Sequence, residues 1–298
     1  MAEPQAIVWI TGGQGQLGRE LVGELSAAGI PLADSDREVD IGDFAAVEKF
    51  ARGRKLAWLI NCAAYTDVDR AETEPEQAFR VNAAGAANLA RLAGERQARM
   101  IHFSTDYVFD GRQRQPYREE DPANPLSVYG LSKWQGERQV QLRLRNHFIF
   151  RLSWLYGRFG KNFVSTMLQH MAEKSVLDVI DDQLGSPTWV DRLAANIVTL
   201  IRGDSRHFGL YHCCDRGQTS WFGFAGRIME RSLAAGRLDR AVVIRPIPSS
   251  AYSAVAPRPS YSVLDQTRAE RELGFTIAPW EENLDLYLNQ LPGGKEKP

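Results

Sequence analysis

A tyrosine and a lysine four residues apart carry the clearest chemistry in this 298-residue chain. Tyr129 and Lys133 lie in a stretch with helical spacing, so both side chains are expected on one face of a helix. A phenol beside an ammonium group is a proton donor, because the positive charge is expected to lower the pKa of the phenol towards the working range of an acid catalyst. The sequence therefore predicts that Tyr129 acts as a general acid with Lys133 beside it.

Polar residues at the end of a predicted strand belong to the same candidate site. Ser104, Thr105 and Asp106 follow an apolar run that is typical of a buried strand. Ligands of open parallel sheets gather at the carboxyl ends of the strands. Thr105 is therefore a candidate to hydrogen-bond the reacting oxygen of a substrate.

A glycine-rich loop near the start of the chain predicts a binding site for a diphosphate. Gly12, Gly15 and Gly18 recur at intervals of three, after an apolar strand and at the start of an amphipathic helix. Glycine permits a tight turn and lets the backbone approach a diphosphate closely. The start of the helix adds free N–H groups and the positive end of the helix dipole. Together with Tyr129, this loop indicates transfer of a hydride and a proton.

The choice between NADH and NADPH stays open in the sequence. Asp34, Asp36 and Arg37 follow the second predicted strand, and Asp40 comes soon after. An acidic residue here usually binds the ribose hydroxyls of NADH, whereas an arginine accepts the 2′-phosphate of NADPH. Because both residue types are present, either cofactor is expected.

Strand and helix patterns alternate through the first half of the chain. The predicted strands are 6–11, 57–61, 100–104 and 147–152, and the predicted helices are 15–28, 44–51, 76–93 and 127–144. This alternation predicts an α/β fold with a Rossmann-like, doubly wound parallel sheet.

The alternation weakens after residue 154. The predicted helices are 163–174, 190–202, 221–235 and 267–273, and the predicted strands are 210–213 and 242–245. Residues 246–259 include four prolines and predict a loop over a surface or cleft. Trp221 and Trp280 are expected in the core.

These patterns predict two domains. Residues 1–154 are expected to form an NAD(P)-binding Rossmann domain, to which elements from about 190–215 return. Residues 155–298 are expected to form mainly a smaller, mixed α/β substrate-binding lobe. The tail, residues 292–298, is predicted to be disordered.

Composition and charge exclude several classes of protein. The net charge of −1 gives no sign of a nucleic-acid or anionic-membrane partner, and no run reaches the roughly 18 apolar residues of a membrane span. Three cysteines, Cys62, Cys213 and Cys214, do not form a disulfide framework and indicate a cytoplasmic location. Hydrolase, metalloprotease and zinc motifs are missing from the sequence.

Several longer stretches resemble the extended short-chain dehydrogenase/reductases. They run along nearly the whole chain: residues 11–21, 61–72, 81–83, 103–111, 125–133, 151–154, 182–188 and 258–264. The most specific are Ser-Thr-Asp-Tyr-Val-Phe-Asp-Gly at 104–111 and Asp-Gln-Leu-Gly-Ser-Pro-Thr at 182–188. Within this family, the chain is similar to reductases of nucleotide-linked keto sugars.

The resemblance implies catalytic roles for the matched residues. Tyr129 would donate the proton to the C4 carbonyl oxygen of the keto sugar. Lys133 would hold the nicotinamide ribose and depress the pKa of Tyr129. Thr105 would bind the reacting oxygen, and Asp106 would lie beside it at the sugar.

The resemblance also implies binding roles. Trp154 would wall the sugar pocket, and Arg258 would contact the substrate diphosphate, which suits a planar bidentate donor. The expected dinucleotide contacts are Gly12, Gly15, Gln16, Leu17, Gly18, Asp34, Asp40, Ile41, Ala63, Ala64, Tyr65 and Phe103, together with Tyr129 and Lys133. The sequence departs from the family pattern at Tyr65, where a histidine is common, and at Tyr261, where an asparagine is common.

Some relatives dimerise through magnesium held by acidic residues. Glu20 and Asp191 correspond to such residues, but a third ligand is not evident in the sequence. The sequence therefore gives no support to magnesium, and no metal site is expected. The resemblance allows a homodimer.

The resulting hypothesis is an NADPH- or NADH-dependent reductase of a nucleotide-linked 4-keto-6-deoxy sugar, with a dTDP-linked sugar as the first choice. One alternative is a reductase or epimerase of another nucleotide sugar. A second alternative is a non-catalytic relative that binds NADP and regulates a partner protein. The presence of Thr105, Tyr129 and Lys133 favours catalysis.

Overall fold

The structure of the protein, a computed structural model, describes residues 5–291. The tail predicted to be disordered, residues 292–298, lies outside the described residues. The strands are β1 (Ile7–Thr11), β2 (Leu32–Ser35), β3 (Leu56–Asn61), β4 (Arg99–Thr105), β5 (His147–Leu152), β6 (Leu155–Tyr156), β7 (Val176–Ile180), β8 (Leu184–Gly185), β9 (Thr188–Trp189), β10 (Gly209–His212), β11 (Thr219–Ser220) and β12 (Val243–Ile247).

Eleven α-helices lie within residues 5–291. They are α1 (Gln16–Ala27), α2 (Phe44–Ala51), α3 (Val68–Ala71), α4 (Pro75–Phe79), α5 (Ala86–Glu95), α6 (Val128–Arg143), α7 (Phe163–Glu173), α8 (Val190–Arg202), α9 (Trp221–Ala234), α10 (Thr267–Leu273) and α11 (Trp280–Gln290). A π-helical segment, Arg80–Gly85, joins α4 to α5, and short 3₁₀ turns cover Asp106–Val108 and Ser249–Ala251. Within the described range, no helix is both long enough and apolar enough to cross a membrane.

Six parallel strands form the central sheet, in the order β10-β5-β4-β3-β1-β2. The chain moves from β1 to β2 on one side and then returns to β3 on the other side of β1. This change of direction creates a cleft at the carboxyl ends of β1 and β3, which is where open α/β sheets bind ligands. The predicted Rossmann-like α/β fold is confirmed.

Helices cover both faces of the sheet, which explains why its central strands are almost wholly apolar. Val8 and Ile10 of β1 face a buried cluster that includes residues of α1 and α8. Trp9, between them, points to the other face, where α2, α5 and α6 pack. The Trp9 indole donates a 3.0 Å hydrogen bond to Ser35 Oγ, so its buried N–H group has a partner.

The second half of the chain contributes to both lobes. Strand β10 pairs with β5 at the edge of the sheet, and α8 packs against α1. A separate cluster, built by α7, α9, α11 and the parallel pair β7 and β12, contains Phe224 and the buried Trp280. The division of the chain into two domains at residue 154 remains a prediction.

Two local predictions were wrong, and some elements were missed. The predicted helix 76–93 is interrupted by the π-helical segment, in which the buried Asn82 amide hydrogen-bonds to Tyr65 and Ser132. Asp34 lies within β2 and not after it. Strand β7 and helix α11 were not predicted, although Trp280, Leu284 and Leu288 have the spacing of a buried helical face.

Candidate active site

Helix α6 carries Tyr129 and Lys133 to the end of β4. Its first turn is capped by Ser127, whose Oγ accepts a 3.1 Å hydrogen bond from the Gly130 amide. A Cβ atom on Gly130 would lie 2.2 Å from the carbonyl oxygen of Tyr107. Only glycine therefore lets α6 approach the segment after β4 closely enough to bring Tyr129 to the strand end.

Asp106 organises the polar residues at this strand end. Thr105 Oγ1 donates a 3.1 Å hydrogen bond to Asp106 Oδ1, and Ser262 Oγ donates a 2.6 Å hydrogen bond to Oδ2. Asp106 is only 3% exposed, and this burial raises its pKa to about 7 although both hydroxyls oppose the shift. Thr105 thereby has a fixed direction, and Ser262 is a site residue that the sequence analysis did not identify.

Tyr129 is protonated at neutral pH in this structure. Its ring packs edge-on against Tyr107, with centroids 5.9 Å apart and planes at 78°. Burial raises the pKa of Tyr129 to about 12, and hydrogen bonding to Thr105 only partly offsets this. The prediction that the pKa is lowered by Lys133 was wrong for this state of the protein, because desolvation of the phenolate is the dominant effect.

Lys133 is directed at the backbone of β4. Its Nζ atom donates a 2.6 Å hydrogen bond to the carbonyl oxygen of Phe103, and the residue is 3% exposed. Burial lowers the pKa of Lys133 to about 8, while the carboxylate of Glu137, one turn further along α6, raises it. Lys133 therefore carries its charge at neutral pH and would lose it as the pH rises above about 8.

The glycine loop has the shape of an anion site. Gly12 has a φ of +70°, and a Cβ atom on it would lie 2.5 Å from the Ala63 amide nitrogen. A Cβ atom on Gly18 would lie 2.1 Å from the Gly12 carbonyl oxygen. Helix α1 follows Gly15, which offers no side-chain cap, and its first turn carries no acidic residue. Its N–H groups therefore suit a diphosphate, while the Leu17 side chain packs in the core.

The acidic residues expected at the dinucleotide occupy different places. Asp34 lies beside the glycine loop, since a Cβ atom on Gly13 would meet its carboxylate at 2.6 Å. Asp40 instead forms an ion pair with Arg80 of the π-helical segment. The Ile41 side chain is buried in the core, and its carbonyl oxygen accepts a 2.9 Å hydrogen bond from Asn88 Nδ2. Asp34 is thus the acid that the fold brings to the loop.

The segment after β3 is held by two buried asparagines. Asn61 Oδ1 accepts hydrogen bonds from Thr11 Oγ1 at 2.9 Å and from the Ala63 amide at 3.1 Å. The Asn82 amide group pairs with both backbone groups of Tyr65, at 2.9 and 3.0 Å, and also donates to Ser132 Oγ on α6 at 2.9 Å. Residues 63–65 are therefore fixed relative to both the glycine loop and α6.

A cleft of about 970 Å³ extends from Tyr107 to the second lobe. Its walls include Trp221, Lys174 and Arg258. Trp154 does not line this cavity but stacks on Trp221, with ring centroids 3.5 Å apart and planes at 9°. Trp221, which was expected in the core, packs against the core cluster of the second lobe and also lines the cleft.

Glu20 does not offer a metal site. Arg158 binds both carboxylate oxygens of this fully buried residue, at 3.1 and 2.6 Å. Burial and the nearby Glu20 charge raise the pKa of Asp191 to about 6. Since a guanidinium already occupies Glu20, these residues do not fit magnesium. Among residues 5–291, no group of three or more His, Cys, Asp or Glu side chains is arranged to hold a metal ion.

Known proteins resemble this chain over almost its whole length. Residues 6–292 match the family described as RmlD substrate binding domain. The chain is 42% identical to dTDP-4-dehydrorhamnose reductase of Streptomyces griseus, covering 97% of this chain and 95% of that protein. It is 39% identical to the spore coat polysaccharide biosynthesis protein SpsK of Bacillus subtilis (strain 168), covering 95% and 97% of the two chains.

A solved structure shows the same likeness in three dimensions. It is the crystal structure of dTDP-4-dehydrorhamnose reductase from Bacillus anthracis str. Ames in complex with NADP. The two sequences are 36% identical and the two folds superpose with a TM-score of 0.90, over 96% of this chain and all of the other. The resemblance to the extended short-chain dehydrogenase/reductases is confirmed. From its fold, the glycine loop, the Thr105, Tyr129 and Lys133 set and the match over residues 6–292, the chain belongs to the RmlD substrate binding domain family.

Proposed function

We propose that this protein is an NADPH- or NADH-dependent dTDP-4-dehydrorhamnose reductase. It would reduce the C4 ketone of dTDP-4-dehydro-L-rhamnose to give dTDP-L-rhamnose. The observation that carries the proposal is that Thr105, Tyr129 and Lys133 converge at the carboxyl edge of the sheet, beside the glycine loop. The names of the relatives from Streptomyces griseus and Bacillus anthracis support this substrate.

The dinucleotide would lie across the carboxyl ends of β1, β2 and β3. The helix start after Gly15 would hold its diphosphate, and Asp34 would face the adenosine ribose. Residues 63–65 would line it, and Lys133 would bind the nicotinamide ribose. When bound, the reduced nicotinamide supplies the hydride for C4.

Tyr129 would supply the proton to the sugar oxygen. An alkoxide is a stronger base than a phenolate, so a phenol with a pKa of about 12 is still able to protonate it. Thr105 would hold the same oxygen by turning to the sugar the hydroxyl proton that Asp106 Oδ1 accepts in the structure. The Lys133 ammonium would stabilise the negative charge left on Tyr129.

The substrate would occupy the cleft that begins at Tyr107. Its sugar would lie at Tyr129, with Trp221 as the apolar wall and Trp154 stacked behind it. The nucleotide would extend towards the second lobe, where Arg258 would face the diphosphate. This arrangement leaves the base and the exact keto sugar open, which keeps a reductase or epimerase of another nucleotide sugar as the alternative.

One assay tests the proposal. Purified protein is mixed with NADPH or NADH and dTDP-4-dehydrorhamnose, nicotinamide absorbance is followed, and the sugar product is identified by NMR. Formation of dTDP-L-rhamnose is the expected result. Turnover of only a UDP- or GDP-linked keto sugar would instead support the alternative substrate, and tight NADPH binding without any turnover would support a regulatory role.

Two further expectations concern the assembly and the location of the protein. A homodimer remains a prediction, and light scattering of the purified protein tests it. A cytoplasmic location also remains a prediction. The unpaired thiols of Cys62, Cys213 and Cys214 support a reducing compartment.

A further inference from the structure

We propose that Asp69 is a positioning residue for the substrate site, because its one carboxylate holds both the Arg258 guanidinium and the backbone of the segment beside the cleft. We call residues 248–258 the strap. The inference rests on the proposed function in that Arg258 is taken to face the substrate diphosphate. The contacts between Asp69 and the strap do not depend on the identity of the substrate.

Asp69 makes four contacts with the end of the strap. Its Oδ1 accepts hydrogen bonds from the backbone amides of Val255 and Ala256 at 3.0 and 2.9 Å. The Arg258 guanidinium binds the same carboxylate with two nitrogens, at 3.0 Å to Oδ1 and 2.8 Å to Oδ2. Arg258 lowers the pKa of Asp69 to about 2, so the carboxylate is charged at every physiological pH.

Asp69 is itself held next to the catalytic helix. It lies on α3, which begins at an Asp67 cap that accepts a 3.0 Å hydrogen bond from the Arg70 amide. Glu72 directly follows α3, and its carboxylate accepts a 2.8 Å hydrogen bond from the Val128 amide in the first turn of α6. The Asp69 carboxylate is therefore fixed relative to the helix that carries Tyr129.

The strap has few other anchors. At its start, the Ser249 amide and hydroxyl bind the Asp182 carboxylate at 2.8 to 2.9 Å. Between the two anchors, Tyr252 and Val255 are 57% and 67% exposed and so contribute little packing. Asp69 thus binds the second half of the strap through three residues. This half lines the cleft with Ala256 and Arg258, and Arg258 also lies beside Tyr107.

This arrangement prepares Arg258 for a ligand. A bidentate guanidinium held by a carboxylate loses little conformational entropy when a diphosphate binds, because its rotamer is already selected. The bound strap also shapes one wall of the cleft before the substrate arrives. Loss of Asp69 should therefore weaken substrate binding more than it weakens binding of the dinucleotide, whose loop lies elsewhere.

Asp69→Asn is the direct test. Asparagine has the same shape and still accepts from the two backbone amides, but its Nδ2 group places a donor against the Arg258 donors. Arg258→Lys is the second variant, which keeps the charge and removes the bidentate pair while leaving both backbone contacts. Glu95→Gln is the matched control, because it removes an exposed 2.8 Å pair with Arg91 on α5, far from the strap.

Limited digestion with chymotrypsin measures opening of the strap without any substrate. Cleavage after Tyr252 is followed by mass spectrometry, and its rate tracks the population of the open strap when reclosing is fast. We expect Asp69→Asn to be cleaved at least about fivefold faster than wild type, as loss of a charge-assisted contact allows. Arg258→Lys and Glu95→Gln should stay within about twofold of wild type, because both keep the negatively charged Asp69 carboxylate on the Val255 and Ala256 amides, whereas Asp69→Asn leaves only a neutral acceptor there.

Steady-state kinetics measure the effect on the substrate. Asp69→Asn and Arg258→Lys should each raise the KM for the keto sugar nucleotide by about tenfold, with NADPH affinity within about twofold of wild type. In the double variant the two effects should not add, because both act through the same guanidinium. Equal losses for substrate and NADPH, or unchanged strap cleavage in Asp69→Asn, would overturn the inference.

The two arms also separate this inference from the proposed function. If wild type turns over no dTDP-linked keto sugar, the proposed function fails, while the chymotrypsin rates still decide whether Asp69 holds the strap. If wild type is active but Asp69→Asn matches Glu95→Gln in both cleavage rate and substrate KM, the proposed function stands and the role of Asp69 is refuted.

Discussion

Replacing Tyr129 by phenylalanine should almost abolish turnover and leave the fold nearly unchanged. The change removes one hydroxyl and keeps the ring that packs edge-on against Tyr107. The hydroxyl interacts with Thr105 and sits at the strand end, where the sugar oxygen is proposed to lie. Without it, the phenol that interacts with Thr105 is lost, and water must supply the proton at this point.

The two effects differ enough in size to be separated. A positioned acid contributes about 10²–10⁴-fold in rate, or about 3–5 kcal/mol of barrier. One lost neutral hydrogen bond costs about 0.5–1.5 kcal/mol of the free energy of unfolding. For a chain of this size the latter lowers Tm by only a few degrees, about 2–4 °C per kcal/mol. A loss of activity with almost unchanged Tm therefore points to the chemical step.

The assay compares kcat for NADPH oxidation, NADPH affinity and Tm in wild type and Tyr129→Phe. Tyr156→Phe is the matched control, since Tyr156 is fully buried in the second lobe and its hydroxyl has no hydrogen-bond partner within the described residues. The control should keep wild-type kcat. If Tyr129→Phe retains more than about a tenth of wild-type kcat at unchanged NADPH affinity, Tyr129 is not the general acid.

Three further predictions concern the charge on Lys133, the sugar wall and the cofactor. Burial lowers the pKa of Lys133 to about 8, so its ammonium charge is present below that pH and is lost above it. The kcat measured against pH should therefore fall as the pH rises through about 8. A kcat that stays constant well above pH 8 would contradict the role of the charge. Trp154→Ala should raise the KM for the sugar nucleotide and leave NADPH affinity nearly unchanged, because its ring stacks on Trp221 at the cleft wall; a main effect on NADPH binding in titrations would remove it from the sugar pocket. Arg37→Ala should weaken NADPH more than NADH, since only NADPH carries a 2′-phosphate; equal loss of affinity for both, by fluorescence titration, would exclude Arg37 from the cofactor site.

The sequence by itself determined the elements that depend on local pattern. Apolar runs such as Ile7–Thr11 and His147–Leu152 were recognisable as strands, because strands buried on both faces carry few polar residues. The glycine loop was recognisable for a similar reason, since its backbone conformation depends on residues within one turn. Tyr129 and Lys133 share a helix face by their spacing alone.

Only the tertiary structure decided which distant residues meet. Asp69 and Arg258 are 189 residues apart, and Asp106 and Ser262 are 156 residues apart. No local pattern relates the members of either pair, so their contact depends on how the strap and the segment after it return over the sheet. The same holds for Asn82, which lies in the π-helical segment and meets Tyr65 and Ser132, 17 and 50 residues away along the chain.

Burial was the second property that the sequence left open. The order of residues suggested that Lys133 would lower the pKa of Tyr129, whereas the folded chain desolvates the phenol and raises that pKa to about 12. Spacing along a helix shows which groups are neighbours, but the pKa of each depends on solvent access and on partners from other elements. The identity of the proposed reacting groups was therefore a property of the sequence, and the packing around them sets their protonation states.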